Sequence, residues 1–260
     1  ADEQGRMRPA SLAVALDQTS GPAIVCAQVG NVNSGAIDPV ADICALAHQH
    51  DAWVHVDGAF GLWAAASPRL RPLVAGMELA DSWATDAHKW LNVPYDSGLV
   101  FCAHPDAHRA AMGIRAGYLM HSAGGERDSL DYGPEHSRRA RGFAIYAAIR
   151  ALGREGIAEL VERCAALARR FAERLAGAEG VEVLNDVVLN QVLVRFLAAD
   201  GDHDAWTRRV IERVQHDGTC WMSGTTWRGQ AAMRISVSNW STDEADVDRS
   251  VAAILRCAAE

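Results

Sequence analysis

Through the first hundred residues, short apolar runs alternate with stretches whose apolar positions recur at helical spacing. Ala23 to Val29 is a strand-like run, Pro39 to Gln49 has helical spacing, and Trp53 to Val56 is a second strand-like run. Pro9 to Leu16 predicts a helix ahead of them. Pro68-Arg69-Leu70-Arg71-Pro72 predicts a loop, and Ser82 to Ala84 and Gly98 to Cys102 predict two more strands. Strand-helix-strand order implies a mainly parallel sheet. The texture changes past Gly124-Gly125. Arg138 to Arg154 and Ile157 to Leu175 predict two long helices separated around Gly153 to Gly156, the second carrying Ile157, Leu160, Val161, Cys164, Leu167 and Phe171 on one face. Val181 to Leu184, Gln191 to Phe196 and Met233 to Val237 predict strands, with helices over Asp204 to His216 and Asp243 to Cys257. The expected division is a larger α/β domain over 1–125, a loop and connecting helix over 126–155, and a smaller α+β domain over 156–260.

Composition changes this picture only at the margins. A chain of 260 residues that is 49% hydrophobic can bury a sizeable core. A net charge of −8 without a long basic run argues against nucleic acid as partner, and no apolar stretch is long enough to span a membrane. The six cysteines are widely spaced, which suggests neither a metal site nor a disulfide framework and fits reduced thiols in a cytoplasm. Ala1 to Met7 has neither the basic start nor the apolar segment of a signal peptide, and the chain reads as beginning mid-protein.

The chemistry concentrates on two positions. Val54-His55-Val56 reads as a buried strand, so Asp57 stands at a strand's C-terminal end, where open α/β sheets bind ligands. Lys89 follows 32 positions later between His88 and Trp90. A carboxylate and an amine are the two groups that pyridoxal 5′-phosphate needs most: one keeps the pyridine nitrogen protonated, the other condenses with the aldehyde. Partial burial and a nearby positive charge would make the Lys89 amine nucleophilic. Gly58 and Ala59 are small where a flat ring must approach, and strand alternation places Ala59 and His55 on the face of Asp57. His55 also fits a satisfied core histidine. Ser82, Thr85 and Asp86 offer hydroxyl or carboxylate contacts ahead of Lys89.

His55-Val56-Asp57-Gly58-Ala59-Phe60, Ala80-Asp81-Ser82-Trp83 and His88-Lys89-Trp90-Leu91 together resemble the group II pyridoxal-dependent decarboxylases. That family includes the aromatic amino acid, glutamate and aspartate/diaminobutyrate decarboxylases. The resemblance implies a fold type I, transferase-like α/β architecture whose large domain is only partly present. By resemblance Lys89 is the Schiff-base lysine, Asp57 pairs with the pyridinium nitrogen, Ala59 packs on the ring and His88 helps to hold cofactor or substrate. Ser82 stands seven residues before the lysine, as the family's serine does. Gly30 to Asp38 resembles the family's turn upstream of the aspartate strand. Asp86 stands where the family commonly has the asparagine that reaches the phosphate.

Glu126 to Pro134 resembles the loop that closes over substrate, which makes Tyr132 the candidate proton donor; the alternative is a structural tyrosine. Arg138 or Arg139 reaches a carboxylate or is a solvated helix-start charge. Arg234, a charge inside an apolar strand, is expected to bind a substrate carboxylate or a buried acid across an interface. The implied activity is decarboxylation of an L-amino acid by a homodimer, with an aminotransferase or a truncated non-catalytic fragment as alternatives. The chain matches about the C-terminal half to two thirds of the family's usual length, so the upstream phosphate cradle is expected to be missing.

Overall fold

The computed structural model describes residues 1–113, 128–135 and 137–259. Helix α1 (Pro9–Asp17), strand β1 (Ile24–Gln28), helix α2 (Val40–Gln49) and strand β2 (Trp53–Asp57) come first. Strand β3 (Ser82–Asp86) runs directly into the single helical turn α3 (Ala87–Trp90), followed by β4 (Gly98–Cys102) and α4 (Pro105–Met112). β1, β2 and β3 are parallel neighbours, and β4 closes the sheet antiparallel to β3. The register sets Gln28 beside Asp57 and Asp57 beside Ala84, so the C-terminal ends of the three parallel strands line up.

The second part is a helical span, α5 (Arg141–Ala176), and an antiparallel sheet in the order β5-β6-β8-β7. Its strands are β5 (Val181–Val183), β6 (Gln191–Phe196), β7 (Ser223–Trp227) and β8 (Gln230–Ser236), with α6 (His203–Asp217) between β6 and β7 and α7 (Glu244–Ala259) at the end. The expected break between two long helices falls at Gly153, whose φ of 65° and ψ of −177° are not helical. The expected boundary at 125/126 lies outside the described residues.

β7 and α4 gave no sequence signal, for a physical reason. β7 is an edge strand of Ser, Gly, Thr, Thr and Trp with none of its residues buried, and α4 buries none of its residues. Neither carries the apolar periodicity that burial imposes. The β3 strand also runs two residues further than its apolar pattern, ending at Asp86.

One face of the first sheet packs into the core through Val25, Ala27, Val54 and Val56. The opposite face carries Cys26 and Asp57, which are exposed. The core runs unbroken into the second sheet through Leu160, Cys164, Val192 and Ile235. Burial pushes the Cys164 thiol up to about 11. Among the described residues, no helix is long and apolar enough to cross a membrane.

Asp81 stitches the start of β3 to three neighbours. Its carboxylate accepts from the Val54 amide at 2.7 Å and pairs with His104 at 2.7 Å and His48 at 3.1 Å. Burial acts to raise its pKa, but the hydrogen bonds from Val54, His104 and His48 outweigh it and hold the carboxyl below the usual carboxylate value. A depressed folded pKa contributes stability that is present above the unfolded value, about 3.9, and is lost as pH falls through the lowered folded value. Asp81→Asn is therefore expected to cost about 1–2 kcal/mol at pH 6, since charge-assisted bonds are replaced by neutral ones. Urea melts of both proteins between pH 6 and pH 3 check this: a stability gap that does not shrink below pH 4 would sink the assignment.

Candidate active site at the ends of the parallel strands

Asp57 is the last residue of β2, and the chain turns there because its Oδ1 accepts from the Ala59 amide at 3.1 Å. The strand alternation expected to carry Ala59 onto the face of Asp57 therefore stops two residues short, and this turn sets the position of Ala59. Backbone bonds lace that turn to β3: Gly58 N–H donates to Ala84 O and Asp86 N–H to Ala59 O, both at 2.9 Å. Trp90, fully buried, donates its indole N–H to Phe60 O at 2.7 Å. Gly61 sits so close to the residue that follows β1 that an added Cβ would lie 2.0 Å from Val29 O, which only glycine permits. Gly58 proves to be a packing glycine, since a Cβ there would meet the Leu62 side chain at 2.6 Å.

Lys89 lies on α3, whose N-cap is Asp86 with an extended backbone (φ −97°, ψ 128°). An N-cap aspartate ordinarily accepts from the helix's first amides. Asp86 makes no such cap bond; its Oδ2 lies 3.0 Å from Lys89 Nζ. The charge beside the amine is thus negative, not the positive one expected from sequence, because an i, i+3 spacing on one helical turn brings the two side chains together. The Phe60 ring lies on another side of the ammonium, 5.4 Å from Nζ to its centroid. Lys89 is also the sole lysine among 260 residues, against 24 arginines. That count was legible in the sequence, and it singles out this amine without any motif.

His88 stacks on Tyr95 with ring centroids 4.3 Å apart, and its buried Nδ1 has no hydrogen-bond partner. A buried polar atom without a partner is costly, and this one adjoins the sole lysine. Asp57, on the strand end laced to this turn, and Lys89 supply the carboxylate and the amine that a ring bearing a nitrogen and an aldehyde would need.

Three expected site residues are placed elsewhere or differently. Ser82 begins β3, about 13 Å from Asp86 at the usual rise per strand residue. Its hydroxyl accepts from the Trp53 indole at 2.8 Å and pairs with His55 Nδ1 at 2.8 Å. Ser82 and His55 thus satisfy each other at the far end of the strand, away from Lys89. Tyr132 packs on α4, edge-on to His108 with centroids 5.4 Å apart and its hydroxyl accepting from Arg109 at 3.3 Å. The start of its expected loop, residues 126–127, lies outside the described residues. Asp86, at the position where the family has its phosphate-reaching asparagine, is engaged with Lys89 and presents a negative charge there. Arg139 pairs with Asp96 at 3.4 Å on the exposed surface, as does Arg141 at 3.3 Å, which fits the solvated alternative.

The turn after β1 connects this site to the second sheet. Asp38 ties it down by accepting from Met7 and Gln28 amides, each at 2.7 Å. Asn185 donates to Ser34 O at 2.9 Å and Thr225 to Asn33 Oδ1 at 2.9 Å. Arg234 on β8 reaches Val32 O at 3.5 Å, while its buried Nε has no partner. Among the described residues, no carboxylate forms an ion pair with it. A concavity of about 540 Å³ lined by His48, Asp51, Trp53 and Asp81 lies at the opposite, N-terminal ends of the strands.

Residues 1–197 match the family described as the pyridoxal-dependent decarboxylase conserved domain. The chain is 34% identical over 192 residues to a tyrosine decarboxylase of Oryza sativa subsp. japonica, covering 70% of this chain and 36% of that protein. It is 27% identical over 251 residues to a phenylacetaldehyde synthase of Arabidopsis thaliana, covering 93% of this chain and 51% of that protein. The crystal structure of Oryza sativa TDC with PLP and tryptamine superposes with a TM-score of 0.92 at 26% identity, over 99% of this chain and 55% of that one. This likeness bears out the expected α/β, fold type I architecture. The chain spans between a third and about half the length of these curated relatives.

Proposed function

The chain belongs to the pyridoxal-dependent decarboxylase family, and from that premise we propose that it serves the pyridoxal phosphate-dependent decarboxylation of an L-amino acid, aromatic ones first. The observation that carries this is the sole lysine, held on a turn laced to the strand end that bears Asp57. In this reading Lys89 Nζ anchors the cofactor and Asp86 orients that amine. Asp57 holds a proton on the pyridine nitrogen, Ala59 packs against the ring, and His88 Nδ1 contacts cofactor or substrate. When bound, the cofactor supplies the electron sink that stabilises the carbanion left by departing CO2. Arg234 takes the substrate's carboxylate, which supplies the charge partner its guanidinium otherwise lacks. No step is assigned to Ser82 or Tyr132.

The division at 1–125, 126–155 and 156–260 is kept as part of the same proposal, supported by the two separate sheets. So are a homodimer and a cytoplasmic setting; support for the dimer comes from Phe143 and Tyr146, large side chains exposed on α5.

Product analysis tests the activity. After soaking with pyridoxal phosphate, incubation with L-tyrosine or L-tryptophan is expected to yield the amine and CO2. A keto acid formed only with an acceptor would instead make it an aminotransferase, and no visible absorbance band after soaking would make it a non-catalytic chain.

A further inference from the structure

We infer that Asn92 is a positioning residue that sets the Lys89 turn against the C-terminal unit carrying Arg234. The inference rests on the proposed role of Lys89. Asn92 lies two residues past α3 in the left-handed region, with φ 50°, a conformation asparagine adopts more readily than most residues. Its Nδ2 donates to Lys89 O at 2.8 Å and Trp90 O at 3.2 Å, carbonyls left open at a helix end. Those two bonds alone would describe a local cap.

The same side chain also reaches across the molecule. Nδ2 donates to Ser238 O at 3.0 Å, and Oδ1 accepts from Trp240 N–H at 2.9 Å. Ser238 lies two residues past the end of β8, the strand of Arg234. From its other side the segment is gripped by α5, because Arg163 Nη1 donates to Thr242 O and Nη2 to Trp240 O, both at 2.8 Å. One amide therefore joins the main chain of the sole lysine to a segment fixed on two further elements. Asn92 itself is exposed, so removing its side chain opens no cavity. What it alters is where Lys89 stands relative to β8.

The test reads Lys89 directly. The 260-residue chain is treated with pyridoxal phosphate and then borohydride, and peptide mass spectrometry gives the label on Lys89, its sole lysine, relative to that on the α-amino group of the same 260-residue chain. Asn92→Gly keeps the left-handed backbone and removes the bridge. It is expected to lower the ratio about five- to tenfold, since small misplacements of a reacting group cost rate steeply, while the thermal midpoint stays close to wild type. Arg163→Ala, which loosens the same segment from the other side, is expected to lower the ratio about two- to threefold, and the double variant to be no worse than Asn92→Gly alone.

An unchanged ratio in Asn92→Gly overturns the positioning role and leaves Lys89's role standing. Losses that multiply in the double variant, or that track lost folded protein, also overturn it. A wild-type ratio no higher than that of the urea-unfolded chain overturns the role of Lys89 and the inference with it.

Discussion

Lys89→Arg is expected to abolish borohydride-fixed label on the side chains and the visible band after soaking with pyridoxal phosphate. Any amine formation should fall by roughly a thousandfold or more, on the order of 4 kcal/mol of barrier at 1.36 kcal/mol per decade. The substitution keeps a positive charge within reach of Asp86, which lies 3.0 Å from the present amine, so the ion pair is largely retained. A guanidinium, however, stays protonated and does not condense with an aldehyde as an amine does. Because Lys89 is the sole lysine, the variant contains no side-chain amine, and any label left must sit on the chain terminus. A band of wild-type strength in Lys89→Arg would refute the anchoring role outright.

Trp90→Ala is expected to have the largest effect on stability. The indole is completely buried among Phe60, Lys89's turn and the core, and its N–H holds Phe60 O at 2.7 Å. Truncating a buried aromatic costs about 3–5 kcal/mol from lost burial plus the cavity left behind. That is a large share of the 5–15 kcal/mol typical of a folded protein. For a chain of this size it corresponds to a fall in thermal midpoint on the order of 10 °C. Trp90→Phe separates the two contributions. It keeps most of the volume, and Phe60 O keeps the Trp63 amide at 3.3 Å, so the lost hydrogen bond should cost only about 1 kcal/mol. Calorimetry on both variants checks the pair, and equal losses in the two would contradict the packing account. Trp90→Ala should also lower Lys89 labelling, since the indole N–H is one of the bonds that tie the lysine's turn to the β2 end.

Much of this arrangement was legible in the sequence. The apolar runs at β1 and β2 and the helical spacing at α2 follow from burial on one side of a sheet, which forces a period on the residues. Asp57 at a strand end followed by Lys89 was legible because both positions adjoin such runs. The break in α5 was legible because Gly153 and Gly156 weaken a helix, although only the structure placed the non-helical backbone at Gly153 itself.

What the sequence could not decide was where each polar side chain turns. Asp86 stands at the position of the family's phosphate-reaching asparagine, yet it faces Lys89 because the helical turn begins there. By resemblance Ser82 belongs with the cofactor, yet the parallel register sets it beside His55; the two satisfy each other, and Ser82 stands four residues before Asp86. Tyr132 rests on α4, an element without apolar periodicity. Asn92 meets Ser238 at a separation of 146 residues, through a contact that no local pattern encodes. The sequence by itself determined the strand and helix periods, the family motif and the uniqueness of the amine, because these are local or countable. The partner of Asp86 was decided by where the helical turn begins, and those of Ser82, Tyr132 and, across the molecule, Asn92 by tertiary structure alone, because strand register and long-range closure choose which donor meets which acceptor.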